Sequence, residues 1–156
     1  MRNLVSRSAM LGLLLAAAPA FAESYEVKFE QVSTNCEHPL SYPARGSIKI
    51  EVKGDDLQVD IERTPLMVGK VSKTGPKAEP KPETKPETKA EPKAGKISAK
   101  SPRPGHTPIE GMDGMFSVAG RVTDDGMLSL VMIGEYQTGG KPLCTQSWNL
   151  SGLRKK

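Results

Sequence analysis

The residue types able to do chemistry are few in this 156-residue chain: Cys36 and Cys144, His38 and His106, the aspartate pairs Asp55-Asp56 and Asp124-Asp125, and a single tryptophan, Trp148. A nucleophilic thiol needs a base held close enough to lower its pKa. His38 stands two residues from Cys36, but neither lies in a signature of a thiol enzyme. Paired carboxylates can divide acid and base work or hold a cation, yet both pairs here adjoin glycine, in Lys53-Gly54-Asp55-Asp56 and in Asp124-Asp125-Gly126. Aspartate is favoured in such turns because it bonds nearby backbone and tolerates unusual dihedrals, so both pairs are read as hairpin turns. The two histidines lie near prolines and are read as exposed loop residues, too few to make a metal site. Trp148 is read as a core ring on the strand that carries Cys144. A nucleophile elbow, a phosphate-binding glycine loop, a zinc spacing and a calcium loop are all absent from the sequence. No catalytic, metal or cofactor residue is therefore assigned, and no reaction can be named.

The N-terminus supplies the compartment. Arg2 and Arg7 precede an apolar run from Ala9 to Ala18, and Pro19-Ala20-Phe21-Ala22 places small residues where signal peptidase requires them. Residues 1–22 are expected to be a signal peptide, the run being far shorter than the roughly 20 apolar residues of a membrane-spanning helix. Its removal leaves residues 23–156 as one domain, exported to a periplasmic or extracellular location and without a transmembrane segment. In an oxidising compartment an even cysteine count reads as a bridge, so Cys36 and Cys144 are expected to form a disulfide.

Around these residues the hydrophobic period is two, the period of a half-buried strand. Tyr25, Val27 and Phe29 alternate with charged residues; Ile48, Ile50 and Val52 do so before the first aspartate turn, and Leu57, Val59 and Ile61 after it. A short strand over Leu66–Ser72 follows. Phe116, Val118 and Val122 precede the second turn, Leu128, Leu130 and Met132 follow it, and Cys144, Gln146, Trp148 and Leu150 share a face of the last strand. The pattern predicts an all-β fold, a small antiparallel barrel or sandwich of about seven strands. Two fragments are alike: Met67-Val68-Gly69-Lys70-Val71-Ser72 and Val118-Ala119-Gly120-Arg121-Val122-Thr123. A chance match is the simpler account, and a glycine inside a strand more usually marks a bend or a close backbone approach.

Between these halves, residues 73–108 hold eight prolines, nine basic and four acidic residues, with lysine recurring every fourth position from Lys77 to Lys93. Such a stretch buries too little apolar surface to offset its ordering entropy, and repeated proline defeats a helix. It is expected to be a long disordered Pro/Lys/Glu-rich loop inserted in the domain. Its composition resembles the Pro-Lys and Pro-Glu tethers of envelope-spanning proteins of the TonB type. The net charge of +4 over the whole chain is thereby uneven, because this loop is basic while the rest of the exported chain is mildly acidic.

Two functions fit. One is an exported, non-catalytic β-domain binding module for a small apolar ligand or a partner not named by the sequence. The other is a structural or interaction protein of the cell envelope, its basic loop associating with anionic surfaces. Specific nucleic-acid recognition is not expected, since the loop has no aromatic residue to stack on bases.

Overall fold

The structure, a computed structural model, describes residues 20–73 and 95–156. Most of the expected signal peptide and the period-four Lys/Glu repeats lie outside the described residues. Nine strands are present among the described residues: β1 (Ala20–Thr34), β2 (Arg45–Lys53), β3 (Asp56–Ile61), β4 (Met67–Lys73), β5 (Gly95–Lys100), β6 (Gly105–His106), β7 (Asp113–Val122), β8 (Met127–Thr138) and β9 (Lys141–Arg154). There is no helix among the described residues, so none long and apolar enough to cross a membrane.

Each strand pairs antiparallel with the next, except that β5 skips the two-residue β6 to pair with β7. The β1–β9 ladder, from Tyr25↔Arg154 to Thr34↔Gln146, joins the first strand to the last. One antiparallel sheet thus closes on itself as a ring of eight strands, which removes the unpaired edges an open sheet would expose.

The alternation in sequence becomes inside and outside. On β1, Tyr25, Val27 and Phe29 are buried while Glu26, Lys28 and Glu30 are exposed; β3 and β8 repeat the pattern through Leu57, Val59 and Ile61 and through Leu128, Leu130 and Met132. The interior is filled by these side chains together with aromatic pairs. Tyr42 stacks on Phe29 with ring centroids 5.4 Å apart and meets Trp148 edge-on at 5.0 Å, and Phe116 meets Tyr136 at 5.9 Å.

The connection between β1 and β2 folds over one end of the ring. Leu40 is buried there, its N–H donating to Gln146 Oε1 at 3.0 Å and its carbonyl accepting from Gln146 Nε2 at 2.9 Å. A buried amide that satisfies both backbone groups of one residue acts as a latch, because leaving either group unpaired would cost about 1–3 kcal/mol. Cys36 and Cys144 form a disulfide beside this latch, between the end of β1 and the start of β9.

The all-β antiparallel expectation is met, with nine strands among the described residues where about seven were expected; within the expected loop 73–108, residues 95–108 are described and include β5 and β6. Ile97 and Ala99 of β5 are buried, while Lys96, Ser98 and Lys100 point outward. A strand with only one large apolar residue stands because β4 and β7 hydrogen-bond it on both sides.

Candidate functional site

The residues singled out first do not converge. Asp55 lies in the β2–β3 turn and Asp56 at its edge, where Asp56 forms an ion pair with Lys70 of β4. That lysine holds the Asp56 carboxyl below its usual range, and Asp56 in turn raises the Lys70 ammonium. Asp124 and Asp125 form the β7–β8 turn, which Gly126 completes with φ +84°. His38 is exposed, and the exposed His106 lies 2.8 Å from Asp113 Oδ1. No group of three or more His, Cys, Asp or Glu residues able to hold a metal occurs among the described residues. Trp148 is fully buried. Burial pushes the Tyr42 phenol up to about 12 and raises Tyr25 and Tyr136 as well, with Glu23 adding to the rise at Tyr25.

A feature the sequence did not announce lies on the outer wall. An open hollow of about 800 Å³ crosses β4, β5, β7, β8, β9 and β1. Strand register explains its lining. In one row Ser72 faces Lys96, Lys96 faces Arg121, Arg121 faces Ser129, and Ser129 faces Ser151. In the next row Lys70, Ser98, Ala119, Val131, Asn149 and Glu30 follow one another across the same strands. The lining mixes serines and Asn149 with Ile97, Leu130, Val131 and Leu150, and the cations gather toward β4, β5 and β7.

The charge arrangement is unusual for a strand surface. Lys96 and Arg121 are direct cross-strand partners, and like charges in that position repel. Lys70 has Asp56, but neither Lys96 nor Arg121 has an ion-pair partner among the described residues. Two unneutralised cations side by side in a hollow raise the local concentration of anions.

Glycines let the strands come together here. A Cβ on Gly120 would lie 2.1 Å from the Ser129 carbonyl oxygen, and one on Gly69 would lie 1.9 Å from that of Ser98. Only glycine permits approaches this close. Both belong to the two similar fragments, and β5 carries a third version, Gly95-Lys96-Ile97-Ser98. Three short runs of glycine, a cation, an aliphatic and a hydroxyl or small residue therefore sit on β4, β5 and β7, which are spatial neighbours. Repetition of that run was the available sequence signal, obscured because its middle copy adjoins a proline-rich tract.

The folded part of 73–108 also relocates the positive charge. Of its nine basic residues, Lys73, Lys96, Lys100 and Arg103 lie on described chain, whereas residues 74–94 contain five lysines against four glutamates. Most of the excess positive charge read as belonging to a loop thus belongs to the ring wall and its margins.

A second hollow, of about 480 Å³, opens beside the disulfide and is lined by Cys36, His38, Ile109, Met112, Leu143 and Glu110 among others. Among the described residues it is lined by no lysine or arginine. No protein-family model matches this chain, and no curated protein matches it. The class the fold and wall define is an all-β closed ring with a disulfide, of the kind that persists in oxidising compartments.

Proposed function

We propose that this protein is an exported, non-catalytic binding module of the cell envelope that holds an anionic partner on the outer wall of its ring. The observation that carries the reading is the facing pair Lys96 and Arg121, neither with an ion-pair partner among the described residues, in the hollow that Lys70 also lines. Side chains fill the interior with Tyr25, Phe116, Met132 and Trp148 all nearly inaccessible, which favours a site outside over a small apolar ligand inside. The signal-like N-terminus and the disulfide support export.

Retention of the full chain on a polyanionic matrix, followed as salt rises, tests the proposal. Binding should weaken steeply between about 0.05 and 0.5 M salt as the Debye length shrinks. Lys96→Glu with Arg121→Glu should release the protein at much lower salt, whereas removal of residues 74–94 should change little. The reverse pattern would assign the interaction to the Pro/Lys/Glu loop, the second function expected from the sequence. Deleting all of 73–108 is not a usable test, because it would remove β5 and open the ring.

A further inference from the structure

Building on that reading, we infer that the hollow takes an acidic polysaccharide, with carboxylates or sulfates on Lys96 and Arg121 and sugar hydroxyls on the serines and Asn149 beside them. Three observations narrow the anion to this class. The first is the mixture of groups: beside the cations stand Ser72, Ser98, Ser129, Ser151 and Asn149, which can donate to and accept from hydroxyls. A phosphate chain would use only their donors, whereas sugar hydroxyls use donors and acceptors alike.

The second is Glu30, at the β1 end of the row after Asn149. A carboxylate there repels any anionic group but accepts hydrogen bonds from sugar hydroxyls, so anionic groups belong at the β4, β5 and β7 end and hydroxyls at the β1 end. The third is shape. The hollow spans six strands, a path on the order of 20 Å at spacings of about 4.8 Å, long enough for several sugar units and too long for one small anion. No aromatic side chain lines it, so it offers single-stranded nucleic acid no stacking platform and gives a neutral sugar face no ring to pack on.

The test titrates the full chain, at fixed moderate salt, with polygalacturonate oligomers, the same oligomers fully methyl-esterified, single-stranded oligothymidylate, and phosphatidylglycerol vesicles. Polygalacturonate should bind best, and esterification should weaken it at least tenfold. Lys96→Ala with Arg121→Ala should lose about tenfold or more, as charge-assisted hydrogen bonds go. Asn149→Ala with Ser151→Ala should weaken polygalacturonate by several-fold and oligothymidylate less, while Glu30→Gln should strengthen oligothymidylate more than polygalacturonate, whose hydroxyls lose an acceptor. All these side chains are exposed, and circular dichroism confirms that each variant keeps its sheet. If oligothymidylate or vesicles bind as tightly as polygalacturonate, or if Asn149→Ala with Ser151→Ala affects every anion alike, the polysaccharide inference falls while the anionic site stands. If Lys96→Ala with Arg121→Ala alters binding of no anion, both fall together.

Discussion

Reversing Arg121 to glutamate should make this protein more stable while it loses anion binding. Arg121 faces Lys96 directly across the β5–β7 ladder, and like charges so placed destabilise by about 0.2–1 kcal/mol, opposite charges stabilising by a similar amount. Both side chains are exposed, so solvent screening keeps each effect at the low end, and the full swing is roughly 0.5–1 kcal/mol. With a urea slope near 2 kcal/mol per molar, the unfolding midpoint should rise by about 0.25–0.5 M. Lys96→Glu alone should do the same. The double reversal sets two carboxylates face to face and should return the midpoint to near the parent, a coupling that only a direct interaction produces. Urea unfolding followed by Trp148 fluorescence measures all four proteins, and at about 1 M salt, where the Debye length is near 3 Å, the differences should shrink. If either single reversal lowers the midpoint, or if the double reversal shifts it by the sum of the two, repulsion between these residues is not what the native state tolerates, and the charge argument for the site is refuted.

Other expectations concern the frame that holds the wall. Replacing both cysteines by alanine should lower stability by about 4 to 5 kcal/mol on the chain-entropy model, because the bridge spans 108 positions; denaturant unfolding with and without reductant checks it, and equal midpoints would contradict it. Gly120→Ala should destabilise by about 1–3 kcal/mol or more, since its methyl would meet the Ser129 carbonyl and no flexible side chain can yield; the same substitution at the solvent-open Gly139, with φ +55°, is strained only by its backbone. Alkaline pH should unfold the chain cooperatively. All three tyrosines have raised pKa values, chiefly through burial, so the unfolded state releases protons first. Stability is full below the ordinary phenol value of about 10 and falls as pH climbs toward the folded-state value of about 12 at Tyr42. Phenolate absorbance should appear together with loss of the strand signal; phenolate forming near pH 10 in a still-folded protein would overturn the burial argument.

How much of this was legible follows residue by residue. Tyr25, Val27 and Phe29, or Leu57, Val59 and Ile61, announce strands because a half-buried strand must alternate, whatever it pairs with. Cys36 and Cys144 announce a bridge by number, and the aspartate turns by their glycines. Strand β5 was not legible. Ile97 is its one large apolar residue, too little to signal a strand against the neighbouring prolines, and its stability comes from ladders on both sides.

By itself, then, the sequence determined the strands with strong alternation, the turn chemistry that separates them and the covalent partner of each cysteine, since those depend on local period and on composition. Ring closure through β5, and the gathering of Lys70, Lys96 and Arg121 around one hollow, were decided by tertiary structure alone. The physical reason is that cross-strand register is a property of pairs: each cation's own neighbours say only that it points outward, and what it points outward beside is fixed by a strand that can lie anywhere else in the chain.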